Sequence, residues 1–304
     1  MKSSHAIVIF ALMFNQILFG LNFPASKIIV SQIDPMLWSN MRFLLAGLGM
    51  LFLCLVFRRK APPLTLNYFK QLIPLSLLGM ALGQGLFLYG LRSTTSVNSA
   101  ILITTIPILT LIVVVVRKEE LLNYNKIIGI LIAFLGVILM RNIDQFSLSN
   151  ANFIGDLFVL IGAFCFALYL SLGKKFFRTY DNMWSTTWMF IVSALTMAIF
   201  NIGKVGELTD IQLNVDIVMS GFYSVFFATL LTYLINNWAL MKVSSGIVAI
   251  FIYLQPIVAG LVGYFYLGEE ITSRMLYCSL FILVGVLLTL KSRKPKPTDY
   301  PGEI

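Results

Sequence analysis

The segment LQPIVAGLVGYFYLGEE, from Leu254 to Glu270, carries a proline inside an apolar run and ends in two acidic residues. The chain uses the same arrangement earlier, as TIPILTLIVVVVRKEE from Thr105 to Glu120. A shift of 149 positions carries Pro107 onto Pro256, and it also superimposes an acidic residue at the end of each segment. Two stretches built alike and so far apart indicate an internal duplication of the chain.

The similarity extends beyond these two segments. With the same shift, residues 89–140 and 238–289 are identical at 13 of 52 positions without a gap, including a glycine-valine pair. Further upstream a shift of 147 carries Asp34 onto Asp181. We therefore predict two related halves and a tail: a first repeat over 1–150, a second repeat over 151–291, and a basic tail over 292–304.

The composition indicates that these halves lie in a membrane. Of the 304 residues, 59% are hydrophobic and 12% are charged, and the mean hydropathy is +0.89. Soluble globular domains carry about 25% charged residues. A helix needs roughly 20 mostly apolar residues to cross the hydrocarbon core. Ten stretches meet this need, at about 6–27, 37–57, 70–91, 97–116, 124–140, 154–174, 184–202, 216–240, 246–267 and 273–290.

The positions of the basic residues predict the orientation of these spans. If the N-terminus is cytoplasmic, the loops and helix ends on that side receive 16 of the 22 Lys and Arg residues. Positive residues concentrate on the cytoplasmic side of membrane proteins. We therefore expect a multi-pass protein of the cell's cytoplasmic (inner) membrane with both termini in the cytoplasm. The net charge of +9 then reflects orientation in the bilayer, and no nucleic-acid partner is expected.

Five spans in each half is an odd number, so the second half enters the membrane from the opposite side. The predicted fold is all-α and integral to the membrane, with ten transmembrane helices arranged as two inverted five-helix repeats. Inverted repeats enclose a site near the middle of the bilayer and expose it to one side at a time. This arrangement favours a transporter that works by alternating access.

Several motifs resemble one family of transporters. The pattern P-x-x-A-x-x-x-G-x-x-x-L-G-E at Pro256–Glu269, followed by LVGV, is similar to the EamA-type signature of the drug/metabolite transporter superfamily. GLNFPASK at Gly20–Lys27 and RFLLAG at Arg42–Gly47 resemble that family's first two helices. The resemblance covers essentially the whole chain. It implies ten helices, a cavity lined mainly by helices 1, 3, 4, 6, 8 and 9, and small organic solutes as substrates.

Polar side chains near the middle of the predicted spans are candidates for substrate binding. Unpaired polar groups are costly in hydrocarbon, so they turn inward or find partners. The shift of 149 pairs Gln84 with Tyr233 and Thr104 with Tyr253 at similar depths. The alternative for each is an interhelical hydrogen bond, worth about 0.6 kcal/mol in membranes. The candidates are Asn15, Gln16, Asn22, Gln84, Thr104, Tyr169, Tyr233, Tyr253 and Gln255.

Two prolines and one arginine raise further hypotheses. Pro107 and Pro256 each remove a helix hydrogen bond, which gives a hinge or a kink that shapes the cavity, or else a static bend. Their matched positions favour the hinge or kink. Arg42 either binds a substrate carboxylate or reaches the outer interface and pairs with Asp34. We favour the pairing with Asp34.

The sequence lacks the motifs of a membrane enzyme or an ATP-driven pump. Its one histidine is His5, near the N-terminus, so an HExxH motif or a Ser-His-Asp triad cannot form in the core. The patterns GxSxG and GxxxxGK[ST] are absent from the sequence. We expect no enzymatic activity, no cofactor and no metal site.

The predicted function is therefore secondary transport of small organic solutes, such as amino acids or related metabolites. Efflux is the expected direction, and the partners are the small-molecule substrate and the lipid bilayer, with the protein a monomer or a weak homodimer. The alternative is an importer or exchanger of an organic cation, such as an amine or a quaternary ammonium compound. A channel or a membrane enzyme ranks below both.

Overall fold

The structure is a computed structural model, which describes residues 2–94, 99, 102–119, 123–140, 150–204, 214–258, 261–262 and 273–291. These residues form helices and turns, with no β-strand among them. The helices are α1 (Lys2–Val30), α2 (Pro35–Val56), α3 (Leu66–Ser93), α4 (Ile106–Val116), α5 (Tyr124–Met140), α6 (Asn150–Thr179), α7 (Asn182–Phe200), α8 (Val215–Lys242), α9 (Ser245–Val258) and α10 (Ser273–Leu290).

These helices lie where the sequence predicts membrane spans. Six of them are long and apolar enough to cross a bilayer, namely α1, α2, α3, α6, α7 and α8. The shorter apolar helices α4, α5, α9 and α10 occupy the positions of the other predicted spans. The predicted tail over 292–304, like Glu120 and Glu269 of the repeated segments, lies outside the described residues.

The outer surface of the bundle is apolar, as a bilayer requires. Large hydrophobic side chains are exposed on helices of both halves, among them Phe10, Phe52, Leu195, Phe222 and Leu276. An apolar surface of this extent in water would aggregate. The protein is a multi-pass membrane protein.

The helices α3 and α8 show the duplication most directly. Each is 28 residues long, and the shift of 149 carries the first and last residues of α3 onto those of α8. Each contains a six-residue π-helical segment, Leu77–Leu82 in α3 and Phe226–Leu231 in α8, which the same shift also superimposes. Even the caps correspond, because Thr65 and Asn214 each accept a backbone N–H in the first turn.

Equivalent helices of the two halves run antiparallel to each other. Asp34 caps the start of α2, and its carboxylate lies 3.0 Å from Nζ of Lys204, just beyond the end of α7. At the other end of the pair Asp181 caps the start of α7 and lies 3.9 Å from Arg59, just beyond the end of α2. The start of each helix therefore lies beside the end of its equivalent, as expected for halves inserted in opposite directions.

The helices α5 and α10 form a second antiparallel pair, which packs backbone against backbone. A Cβ atom added to Gly285 would lie 2.4 Å from the carbonyl oxygen of Gly129, and one added to Gly129 would lie 2.6 Å from that of Gly285. Seven residues further along α5, Gly136 faces Cys278. Such a close approach needs residues without a side chain, as in other small-residue contacts between membrane helices.

Candidate functional site

A cavity that is partly open to the outside lies between the two halves. Its walls come from α1, α3, α4, α6, α8 and α9, together with Ile103 just before α4. These are the six helices that the family resemblance implied. Aromatic and aliphatic side chains form much of the wall, including Phe19, Phe87 and Phe166. Six lining side chains are polar: Gln16, Asn22, Ser26, Gln84, Asn236 and Gln255.

The polar part of the wall consists of neutral amides and one hydroxyl. Within the described part of the chain, no Asp, Glu, Lys or Arg lines the cavity. Amides can donate and accept hydrogen bonds without carrying charge. This wall therefore suits a polar solute that is neutral overall, or one whose charge is balanced by a charged residue behind the wall.

Two amide pairs connect α1 to the second half at the cavity. Nε2 of Gln255 donates to Oε1 of Gln16 over 2.8 Å. Nδ2 of Asn15 donates to Oδ1 of Asn236 over 3.1 Å. In each pair one amide oxygen and one amide nitrogen take no part in this bond, so both pairs can still form hydrogen bonds with a solute.

The helix α1 directs further acceptor atoms to the same side. Asn15, Asn22 and Ser26 are spaced by seven and four residues, which places them on one helix face. Oδ1 of Asn15, Oδ1 of Asn22 and Oγ of Ser26 are buried without a hydrogen-bond partner among the described residues. Buried acceptors without partners are uncommon, and a bound solute is one explanation for them. Of these side chains, Asn22 and Ser26 line the cavity.

Tyr169 and Tyr233 lie behind the wall rather than in it. Their ring centroids are 6.2 Å apart, and both rings pack on the lining residue Phe166. The Tyr233 hydroxyl donates to the carbonyl oxygen of Gly79 over 2.7 Å, and the Tyr169 hydroxyl donates to Oδ1 of Asn237. Both tyrosines are almost completely buried. Their position suits support of the cavity wall.

The remaining candidates do not reach the cavity. Tyr253 is fully buried, its hydroxyl has no partner among the described residues, and its ring lies 6.4 Å from that of Phe134. Thr104 is 2% exposed and does not line the cavity. The structure thus brings Gln16, Asn22, Gln84 and Gln255 to the cavity. Asn15 does not line the cavity, but it is hydrogen-bonded to the lining residue Asn236.

Both prolines follow an interruption of their helix. A turn at Thr104 and Thr105 precedes Pro107, which stands in the first turn of α4. A 3₁₀ segment, Phe251–Leu254, precedes Pro256 within α9. In both halves the proline is the second residue of the α-helical stretch that follows the interruption, a position where its missing N–H costs least. A role in motion remains a prediction for both.

The prediction that Arg42 pairs with Asp34 is wrong. Asp34 instead binds Lys204 at 3.0 Å and Arg92 at 3.4 Å. Arg42 lies eight residues further along the chain, about 12 Å deeper at 1.5 Å per residue. It is 2% exposed, and its Nη2 donates to Oε1 of Gln84 over 3.2 Å. The basic residues at the ends of α3 and α7 reach Asp34, so Arg42 is left inside the bundle.

Asn236 and Ser26 line the cavity, although neither is among the candidates predicted from the sequence. The signal for Asn236 was the Asn-Asn pair at 236 and 237, of which one member bonds Asn15 and the other bonds Tyr169. Ser26 could have been found from its spacing of four residues after Asn22. Phe166 carries no polar signal and could not have been separated from the other apolar residues of α6.

Sequence comparisons relate this chain to known transporters. The model of the EamA-like transporter family matches residues 6–142 and again residues 153–291. The chain is 23% identical over 273 residues to the "Uncharacterized transporter YoaV" of Bacillus subtilis, covering 90% of this chain and 92% of that protein. It is 27% identical over 278 residues to the "Uncharacterized transporter YyaM" of the same organism, covering 88% of each.

A plant protein and a protein of known structure are also similar to this chain. The chain is 25% identical over 206 residues to the "WAT1-related protein At4g01440" of Arabidopsis thaliana, covering 59% of this chain and 56% of that protein. A protein of known crystal structure superimposes with a TM-score of 0.77 over 93% of this chain and 96% of the other, at 13% identity. With two matches of the family's sequence model and a cavity between two antiparallel halves, this chain belongs to the EamA-like transporter family.

Proposed function

We propose that the protein is a secondary transporter of small organic solutes such as amino acids or related metabolites. The observation that carries this proposal is the neutral, amide-rich cavity between two halves whose equivalent helices run antiparallel. Halves related in this way can pack in two similar arrangements, each opening the site to one side. The protein would then work by alternating access, with efflux from the cytoplasm as its direction.

The cavity favours an amino acid over an organic cation. The free amide N–H groups suit a carboxylate, and the buried acceptors Oδ1 of Asn22 and Oγ of Ser26 suit an ammonium group. A solute that carries only a positive charge would find no carboxylate in the described wall and would lie near the buried Arg42. The alternative of a cation importer or exchanger is therefore the weaker one.

Transport into proteoliposomes tests this proposal. We expect the purified protein to move a radiolabelled amino acid saturably in the absence of ATP. Gln255→Ala removes an amide that lines the cavity, and the loss of one hydrogen bond to the solute should raise the KM roughly three- to tenfold. Leu276→Ala is the matched control, because Leu276 is 62% exposed on α10 and does not line the cavity. Flux that rises linearly without saturation would indicate a channel instead.

The orientation of the protein is tested separately. We propose that it lies in the cytoplasmic membrane as a monomer or weak homodimer, with both termini in the cytoplasm. Reporters that are active on one side of the membrane only, fused to each terminus, should give the same result at both ends. Opposite results at the two termini would contradict an even number of spans, and with it the pairing of two inverted five-helix halves.

A further inference from the structure

Arg42 is a cation buried inside the helix bundle. Its side chain lies in α2 at 2% exposure, and Nε is buried without a hydrogen-bond partner. Within the described ranges no carboxylate forms an ion pair with it, although Asp34 and Asp181 on the same helix pair both have basic partners. Removing a charge from water without an opposite charge is costly, and an ionisable group inside a membrane bundle is usually functional.

Arg42 is connected to the cavity through Gln84. Its Nη2 donates to Oε1 of Gln84, and Gln84 lines the cavity. Because the amide oxygen faces the guanidinium, the amide nitrogen is directed elsewhere. The nitrogen keeps two N–H groups that can donate hydrogen bonds. The arrangement presents a hydrogen-bond donor at the wall with a positive charge directly behind it.

The charge occurs in one half only. The shift of 147 carries Arg42 onto Met189 and Phe43 onto Phe190, and the rings of Phe43 and Phe190 stack with their centroids 6.1 Å apart. The Arg42 guanidinium lies 5.2 Å from the centroid of the Phe43 ring. The two halves thus meet through an equivalent aromatic pair, while the adjacent cation has an apolar residue as its counterpart. Packing alone does not require the cation at this position.

We propose that Gln84, held and polarised by Arg42, forms a carboxylate-recognising end of the cavity. A solute carboxylate would accept the free N–H of Gln84 and be stabilised by the Arg42 charge behind it, which makes the pair select carboxylates over amides and amines. Arg42 is a positioning residue in this scheme, because it does not line the cavity. This inference rests on the proposed function and adds the group of the solute that is recognised.

Competition among matched solutes tests the inference. The set is leucine, leucinamide and 4-methylpentanoate, extended to alanine and phenylalanine with their amides, each competing with a radiolabelled amino acid in proteoliposomes. For the natural protein we expect carboxylates to inhibit about tenfold more strongly than the matched amides, since a charge-assisted hydrogen bond is lost with the carboxylate. Arg42→Met should bring this ratio close to one, and Arg42→Lys should retain most of it.

A second variant covers the case in which Arg42→Met does not fold. Gln84→Glu has nearly the same shape and supplies Arg42 with the carboxylate partner that it lacks. The variant should fold, with an unchanged or higher melting temperature, and should lose the preference for carboxylates. A preference that survives in Gln84→Glu would overturn the assignment.

Thermal stabilisation of the purified protein by the same solutes separates this inference from the proposed function. If carboxylates raise the melting temperature of the natural protein more than amides do, and Arg42→Met or Gln84→Glu removes the difference, the assignment holds even without flux. Absence of flux then counts against transport alone. Equal stabilisation by both classes, or none by either, overturns the assignment. So does an effect that chloride alone reproduces in a methanesulfonate buffer, because an inorganic anion would then be the partner of Arg42.

Discussion

The helices α3 and α8 have the same backbone and different chemistry. Both run for 28 residues and bulge into a π-helix at corresponding positions. At two corresponding positions, however, the side chains diverge: Gly79 corresponds to Ala228, and Gln84 corresponds to Tyr233. The Tyr233 hydroxyl of one half binds the Gly79 carbonyl of the other. The duplicated frame is symmetric, whereas the site built on it is not.

The helices α2 and α7 show the same combination of a symmetric backbone and asymmetric side chains. Their capping aspartates correspond, and each pairs with a basic residue beyond the end of the other helix. Deeper in the bundle Arg42 corresponds to Met189, so the charge belongs to one half. Under the proposed alternating access, bulged helices at matched places would let the halves move alike, and unequal side chains would let the cavity distinguish one end of a solute from the other. Variants at equivalent positions can test where the symmetry ends.

The largest effect is expected at the contact between α5 and α10. Gly285→Ala would place a Cβ atom 2.4 Å from the carbonyl oxygen of Gly129 and 2.6 Å from the amide nitrogen of Ala133. Backbone atoms cannot move aside as a flexible side chain can, so the helices must separate. We expect a loss of about 1–3 kcal/mol, typical of overpacking, measured as a lower melting temperature in detergent.

The equivalent glycine of the first half is the control for this variant. A Cβ atom on Gly136 would approach the carbonyl oxygen of Cys278 and Cβ of Phe281 at 2.9 Å, a milder overlap. Gly136→Ala should therefore lower the melting temperature less than Gly285→Ala does. An equal or larger loss at Gly136 would show that the α5–α10 contact is more symmetric than its distances indicate.

The duplication could be predicted from the sequence, but the π-helical segments could not. The two repeated segments share a proline and an acidic end in one register, which was enough to predict the duplication, and the apolar stretches predicted the positions of the helices. The π segments LLGMAL and FFATLL agree at one position, their last leucine, so their shared shape depends on packing that no local pattern encodes. Bulges of this kind follow from tertiary contacts rather than from propensity.

The candidate site was predictable in depth but not in direction. Gln255 and Tyr253 lie at nearly the same level, yet residues two apart on a helix point about 200° apart. Gln255 consequently faces the cavity, whereas the Tyr253 hydroxyl is buried elsewhere. Similarly, the partner of Asp34 is Lys204, in a segment 170 residues away. Pairing over such a distance depends on how the helices assemble.

The capping aspartates of α2 and α7 differ in their ion pairs. Asp34 contacts both Lys204 and Arg92, whereas Asp181 contacts Arg59 at 3.9 Å. Asparagine is also a good N-cap, so Asp→Asn isolates the charge from the cap. Asp34→Asn should destabilise the protein by about 1 kcal/mol, the upper range for partly exposed ion pairs. Asp181→Asn should cost less, and similar losses in thermal unfolding would contradict the difference between the two ends.

The charge of Asp34 also predicts a dependence on pH. Burial alone would raise its pKa, but hydrogen bonds from Lys204 and the Leu37 amide, with the charge of Lys204, hold the pKa below the ordinary value of 3.8. A carboxyl group with a lowered pKa in the folded state contributes its stability above the unfolded value and loses it as the pH falls through the folded one. The melting temperatures of the natural protein and Asp34→Asn should therefore converge below about pH 4.

The smallest effect on stability, and the most direct test of the π segments, is expected at Tyr233. Its hydroxyl, just beyond the π segment of α8, donates to Gly79 inside the π segment of α3. Tyr233→Phe should cost about 0.6 kcal/mol, the average for such a bond in a membrane protein. If the two segments move together, the loss of this connection should change the rate of transport more than it changes the melting temperature.

Tyr223→Phe is a matched control, because the Tyr223 hydroxyl donates over 2.8 Å to the carbonyl oxygen of Leu18 in α1, an acceptor outside both π segments. Each variant removes one bond from a tyrosine of α8 to the backbone of a first-half helix. A comparable small loss of stability in both, with a changed transport rate in Tyr233→Phe alone, would assign the motion to the π segments. Equal rates in the two variants would mean that the shared bulges are static, so that any alternation between the halves must take place at the interrupted helices α4 and α9 instead.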